Sequence, residues 1–275
     1  MTGYSSDQSN ESNQSDQSDP TLTADDLVDD FRSMGLERGD EVVVHGSLSS
    51  IGWVEGGAET VVDALCAAVG DSGTVVVPTF TPFVVREEPF DSAETRSRTG
   101  AITEALRTRE HAVRSDHPTH SVSAIGPAAD TLTADHALER SLGRDSPLHR
   151  LARRGGKILL LGVGHERNST IHVAEALADL PYKTGTNEVL VRGADDAIRT
   201  VEAATVGCGK GFPAFEPVLE EVGLLTRGRI GEADAQVLPG KGLLEVAVPL
   251  LEERPAFALC DESDCWWCPK AKQMV

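Results

Sequence analysis

The segment STIHVAEAL, residues 169–177, sets His172 and Glu175 three positions apart in a run of helix-forming residues. On a helix that spacing brings both side chains onto one face. An imidazole near neutral pKa can take a proton from a nucleophile. A carboxylate beside it can fix its tautomer and stabilise the imidazolium. The same spacing also serves as a plain surface pair beside the apolar stripe of Ile171, Ala174 and Leu177. This stretch alone leaves both readings open.

Three other clusters carry chemistry. The loop HGSLSSIGWVEGG, residues 45–57, combines serine hydroxyls with backbone amides at the end of a strand. It reads equally as a phosphate or pyrophosphate cradle and as an ordinary strand-to-helix turn. Its Trp53 reads as a core residue or as a stacking surface for adenine. The segment SDHPTHS, residues 115–121, reads on its own as a turn with solvent-facing histidines. Finally, Cys260, Cys265 and Cys268 form C-x4-C-x2-C near the C-terminus, and Cys208 lies upstream. Four such thiols suit a structural zinc site, with reduced free thiols and disulfides as the alternatives. Other motifs fail. GVGHER has Arg167 where a dinucleotide fingerprint needs its third glycine, and GCGKGF lacks the spacing and Ser/Thr of a P-loop. No G-x-S-x-G elbow is present.

The elements that must position these residues are legible in outline. EVVVHGSL, TVVVPTF and KILLLGVG are apolar runs of strand length, as expected for parallel strands covered on both faces. Helical segments lie between them: TADDLVDDFRSMGL, with Thr23 as its cap, then GGAETVVDALCAAVG, GAITEALRTR and SPLHRLARRGG. The His172 helix follows the third strand directly, which puts its first turn near the carboxyl edge of the sheet, where α/β sites form. After residue 185, NEVLVRG and IRTVEAATVG suit a hairpin, and FEPVLEEVGLL and GKGLLEVAVPLLEE suit helices. Residues 1–20 hold almost nothing that could be buried and read as a disordered acidic and polar tail. The expected architecture is one domain over 21–275. It is a three-layer α/β/α sandwich with a mostly parallel central sheet, and residues 185–275 add a minor subdomain, stapled by zinc at the four cysteines.

The net charge of −19 repels phosphate backbones and argues against a nucleic-acid partner. An acid excess spread along the chain suits a halophilic, hydrated surface. No apolar run is long enough to span a membrane, and the polar N-terminus has no signal-like core, so a cytoplasmic location is expected.

In this order, the segments VVVHGSLSSIGWVEGGAETVVDAL, GTVVVPTFT, EEPFD, GAITEALR, RSDHPTHSVSAIGP, SPLHRL, GGKILLLGVGHERNSTIHVAE and, more loosely, GLLTRGRIGEADAQVLPGKGLLEVAV resemble the aminoglycoside 3-N-acetyltransferase family over residues 23–250. The resemblance implies an α/β/α acetyltransferase that takes acetyl-CoA as donor and a primary amine of an aminoglycoside or related amino sugar as acceptor. It maps the H-x-x-E helix of the family onto His172 and Glu175, as general base and orienting partner for direct transfer. It assigns His45, Gly46, Ser47, Leu48 and Ser49 to the CoA phosphates and Pro78, Thr79 and Phe80 to the pantetheine. It sets His117, Pro118 and Ser121 near the reaction centre, with Ser121 as a candidate donor to the developing oxyanion. One departure stands out. Acidic residues expected before Cys208 are replaced by the uncharged AATVGC, with Glu166, Glu87 and Glu88 as alternative sources of negative charge. The implied partner is a small-molecule amine, and the implied state is a monomer or homodimer. A CoA-binding protein without turnover, or an enzyme for a different amine, is the alternative.

Overall fold

The computed structural model describes residues 21–81 and 88–275. The polar tail 1–20 and Glu87 lie outside the described residues. Among the described residues nine strands run as β1 Glu41–Gly46, β2 Thr74–Pro78, β3 Val113–Arg114, β4 Val122–Ile125, β5 Lys157–Leu161, β6 Thr186–Arg192, β7 Ile198–Ala204, β8 Thr226–Ile230 and β9 Ala233–Pro239. The helices are α1 Ala24–Ser33, α2 Ala58–Val69, α3 Ala101–Arg107, α4 Ala129–Thr133, α5 Pro147–Arg153, α6 Thr170–Leu177, α7 Phe215–Glu221, α8 Gly240–Glu253 and α9 Cys268–Ala271.

Seven strands form one sheet in the order β3-β4-β2-β1-β5-β9-β8. The central strands are the apolar runs read from sequence, and their period of two divides them between two cores. Val42, Val44, Val75, Val77, Leu159 and Leu161 face α1, α2 and α3, meeting Phe31, Leu65 and Leu106. Val43, Val76, Ile158 and Leu160 face the other way, toward Leu148 and Leu151 of α5, Ile171 of α6 and Leu251 of α8. These are the three layers.

The parallel arrangement holds only at the centre. β1 pairs in parallel with β2 and β5, whereas β4, β3, β9 and β8 all join antiparallel. The connections explain this. A parallel partner needs a crossover of about a dozen residues or more. Residues 115–121 between β3 and β4, and Gly231–Glu232 between β8 and β9, are too short to supply one.

Residues 185–275 also differ from the expected satellite. β8 and β9 extend the main sheet, α8 packs along α5 and α6, and Ala258, Cys268 and Ala271 share the main core. The part that stands apart is the β6–β7 hairpin, a two-stranded sheet whose own small cluster joins Val189 and Ala203 to Phe90. Its Phe90 backbone bridges to β6.

Local signals place the helices. Thr23 accepts from the Asp26 amide at 3.3 Å while Asp26 accepts from the Thr23 amide at 2.9 Å, a reciprocal cap that starts α1. Ser146 caps α5, with Pro147 at its first position. Among the described residues no helix is long and apolar enough to cross a membrane.

Candidate active site

The carboxyl ends of the three parallel strands open onto one cavity of about 1220 Å³. β1 delivers His45 and Gly46 to it, the turn after β1 adds Ser47, Leu48 and Ser49, β2 adds Pro78, the segment after it adds Phe80, and α6 adds His172. These eight residues, all assigned to the site from sequence, therefore line one cavity.

The turn after β1 is held shut by its own hydroxyls. Ser47 and Ser49 stand 3.1 Å apart, Ser50 donates to Ser47 at 3.0 Å, and it also reaches the Gly162 carbonyl at 3.3 Å. Gly162 has φ of +64°, and a Cβ there would fall 2.4 Å from that of Ser50. Only glycine lets the turns after β1 and β5 approach this closely.

α6 is buried along most of its length, which removes the surface-pair reading: His172 is 8% exposed and Glu175 2%. Nδ1 of His172 lies 2.6 Å from Oε2 of Glu175. An ionised carboxylate has no proton to give, so Nδ1–H donates and Nε2 keeps a lone pair. Glu175 is held in turn by Lys183 Nζ at 3.1 Å and by the Tyr182 hydroxyl at 3.2 Å. Burial pushes the Glu175 carboxyl up, but Lys183 and His172 outweigh it and leave it below the usual carboxylate value. Burial, helped by the Lys183 charge, lowers His172 below 6.5 against the opposing pull of Glu175. The imidazole is therefore neutral at pH 7. Phe212 meets the His172 ring edge-on at 4.6 Å between centroids.

Thr79, expected along the pantetheine, and His117 and Ser121, expected near the reaction centre, sit behind the wall rather than on it. Thr79 and Ser121 are fully buried and tie the end of β2 to the segment entering β4: Thr79 donates to the Ser121 carbonyl at 3.1 Å, and Ser121 donates to the Thr79 carbonyl at 2.9 Å. Arg114 Nε reaches the Ser121 hydroxyl at 3.0 Å. His117 Nδ1 accepts the Thr119 and His120 amides at 3.2 and 3.1 Å, and its Nε2 lies 3.0 Å from the Ser141 hydroxyl. His117 shapes the turn that presents His120. It is His120, packed edge-on against Phe80 at 4.9 Å, that lines the cavity. Of the two histidines expected to face solvent, His117 is buried and His120 is half-buried on the cavity wall. Burial holds His45 at about 3 and His117 at about 4, and His120 well below 6.5, so none is charged at neutral pH.

Trp53 is not a core residue. It is 73% exposed and stands on the cavity wall beside Gly56 and Gly57, which precede α2. Sequence reading also missed Arg98 and Arg167, the two guanidinium groups on this wall among the described residues. Neither lies in a spacing pattern that would have marked it. Lys183 and Tyr182 were missed for the same reason, since they reach Glu175 from the irregular segment after α6.

A second groove of about 680 Å³ adjoins the cavity and shares Gly162, Val163 and Glu166 with it. Glu166, Glu216, Glu232 and Asp234 line it, with Arg227 paired to Glu216 at 2.7 Å. Glu88 lines a different groove, beside Arg96 and Arg192. The four cysteines expected to act together do converge: their sulfurs all lie within 4.8 Å of one another.

A neutral imidazole braced by a buried carboxylate, on a cavity at the carboxyl edge of an α/β/α sheet, defines an α/β enzyme whose site can accept a proton. The chain belongs to the aminoglycoside 3-N-acetyltransferase family, whose model matches residues 43–252. It is 34% identical over 269 residues to aminoglycoside N(3)-acetyltransferase VII of Streptomyces paromomycinus, covering 85% of this chain and 92% of that one. It superposes with a TM-score of 0.85 and 27% identity on a mutant of aminoglycoside acetyltransferase AAC(3)-IVa in complex with gentamicin, over 94% of this chain and all of that one. It superposes with a TM-score of 0.78 and 30% identity on AAC-IIIb in a binary complex with CoASH, over 86% of this chain and 98% of that one. The protein is accordingly an acyltransferase by family.

Proposed function

We propose that the protein moves the acetyl group of acetyl-CoA to a primary amine of an aminoglycoside, directly and without an acyl-enzyme, with His172 as general base. The observation that carries this reading is the 2.6 Å contact of His172 Nδ1 with Glu175 on the wall of the large cavity. It leaves the other ring nitrogen basic, and the low pKa keeps that nitrogen unprotonated at neutral pH.

The acceptor enters as an ammonium and must lose a proton before it can attack. His172 Nε2 accepts a proton from the amine as nitrogen bonds to the thioester carbonyl carbon. The carbon–sulfur bond then breaks. One of the two protons shed by the ammonium goes to the departing CoA sulfur and the other to solvent. The imidazolium formed in between is stabilised by Glu175. His45 Nε2 is buried without a hydrogen-bond partner among the described residues, and we assign it, with the backbone at Gly46, to the bound thioester. Thr79, His117 and Ser121 serve the site by bracing β2 and the His120 turn.

The donor is supported by the CoASH complex of AAC-IIIb and by features of the cavity. The serine turn, the start of α2 after Gly57 and the guanidinium groups of Arg98 and Arg167 suit phosphates, and exposed Trp53 suits a flat purine. The acceptor is supported by the gentamicin complex of AAC(3)-IVa and by the acidic groove. Glu166, Glu216, Glu232 and Asp234 supply the negative charge that the AATVGC stretch lacks. The cysteine cluster takes no part in this transfer.

An assay of CoA release, with acetyl-CoA and a panel of aminoglycosides, amino sugars and polyamines in strong salt, tests the proposal. Acetylated aminoglycoside, identified by mass, is the expected product. Turnover of polyamines alone would move the acceptor class. Tight CoA binding with no acetylated product would overturn transfer and leave a binding protein.

A further inference from the structure

Cys208, Cys260, Cys265 and Cys268 come from two stretches of chain that meet behind the cavity. We propose that these four thiols form a closed structural zinc site, and that the metal pins the Val206–Phe212 segment against the His172–Glu175 pair.

The geometry is that of one centre rather than two pairs. A tetrahedron of thiolates around zinc, at about 2.3 Å per bond, sets its sulfurs about 3.8 Å apart. All four Sγ atoms lie within 4.8 Å of one another, so each moves by less than about 1 Å to close on a single ion. Three of the cysteines are buried and Cys208 is partly buried. Four protein ligands leave no open coordination position, as expected of a structural metal.

The surroundings suit thiolates. The Lys210 amide donates to the Cys208 sulfur at 3.3 Å, the Cys260 amide to Cys268 at 3.4 Å, and the Cys268 amide to Cys265 at 3.4 Å. Metal binding displaces the four thiol protons, and the resulting centre carries a net charge of about −2. In a chain with a net charge of −19, two lysines lie beside it. Lys272 Nζ donates to the Cys260 carbonyl at 2.8 Å and also to Asp261 at 2.6 Å, and Lys210, two residues after Cys208, pairs with Asp264 at 3.2 Å, so their charge is shared with these carboxylates.

The site ties together the segments that hold the His–Glu pair. Val206 accepts a hydrogen bond from Lys183, which pairs with Glu175. Gly207 borders the cavity at φ of +102°, and the Trp267 indole, between two of the ligands, packs where a Cβ would be. Phe212 rests on the His172 ring. From the C-terminal stretch, Pro255 accepts from the same Tyr182 hydroxyl that reaches Glu175, each at 3.2 Å. Loosening the cysteine cluster frees the support on two sides of the pair. Metal content does not depend on turnover, so this proposal stands or falls apart from the acetyl-transfer reading.

The test is metal analysis of the full chain purified under reducing conditions. About one zinc per chain is expected, released stoichiometrically when a mercurial titrates the thiols. Replacement by cobalt should give the strong visible bands of a tetrahedral tetrathiolate. Cys265→Ser and Cys208→Ser should lose the metal and lower Tm, while His172→Ala should keep it. A metal-free protein whose four thiols alkylate in the native state without loss of Tm would overturn the site, as would a mass showing two disulfides. If the serine variants do not fold, the cobalt spectrum of the unaltered chain still decides the matter.

Discussion

Lys183 Nζ lies 3.1 Å from Oε2 of Glu175, the same oxygen that stands 2.6 Å from Nδ1 of His172. One carboxylate oxygen thus serves a cation and the imidazole together. The cation keeps Glu175 ionised, and it also makes His172 harder to protonate. A base that must stay neutral gains from both effects.

The pH dependence follows from this arrangement. His172 acts as a base only when unprotonated, and its pKa lies below the ordinary 6.5. The acid limb of kcat/KM should therefore fall below pH 6.5, with full activity above it. Lys183→Met removes the charge that depresses the imidazole, so its pKa rises and the acid limb moves to higher pH. A limb that stays in place, or moves to lower pH, would contradict the role given to Lys183.

Replacement of the base itself should be more severe. His172→Ala should lower kcat by about 10²–10⁴-fold while acetyl-CoA binding persists. Glu175→Gln keeps the shape but presents an amide N–H to Nδ1, which shifts the ring hydrogen to Nε2 and removes the free lone pair. A loss on the order of 10⁴-fold accompanies that error in serine-protease triads. Near-normal kcat in either variant would sink the assignment.

Trp53 is set for binding rather than chemistry, since it lies exposed on the cavity rim. Stacking of a base on an aromatic side chain is worth about 1–3 kcal/mol. Trp53→Ala should raise KM for acetyl-CoA by roughly 5- to 100-fold with kcat little changed. A change confined to the acceptor KM would place the donor elsewhere.

The acidic groove should discriminate by charge. Asp234→Asn combined with Glu232→Gln should raise KM for polycationic aminoglycosides and leave a monoamine unaffected. The difference should shrink as salt is added, because exposed charges are screened. Equal effects on both acceptors would show that the groove plays no part in recognition.

Much of the frame was legible because its signals are local. The Val and Leu runs of β1, β2 and β5 are buried on both faces and read as central strands without knowledge of their neighbours. The cap of α1, the β6–β7 hairpin and the 3-residue spacing of His172 and Glu175 are likewise settled within short stretches. The strand directions at the sheet edges were less legible. Apolar alternation carries no sign of direction, and only the short links decide it.

The histidines mark the limit more sharply. His117 and His120 lie three residues apart in one turn, and nothing in SDHPTHS says which reaches the cavity. The fold turns His117 inward to accept two backbone amides and leaves His120 beside Phe80. The resemblance placed Thr79 along the pantetheine and Ser121 near the reaction centre, yet their hydroxyls are spent on joining the end of β2 to the start of β4.

By itself, then, the sequence determined the central strands, the His–Glu spacing and the set of thiols, each of which depends on neighbours along the chain. Only the tertiary structure decided that Lys183 and Tyr182 brace Glu175, that Glu166 and Asp234 border one groove, and that Cys208 meets three cysteines about 50–60 residues further on. Those groups reach one another across strand ends and loops without regular spacing, and their meeting is set by how the layers pack.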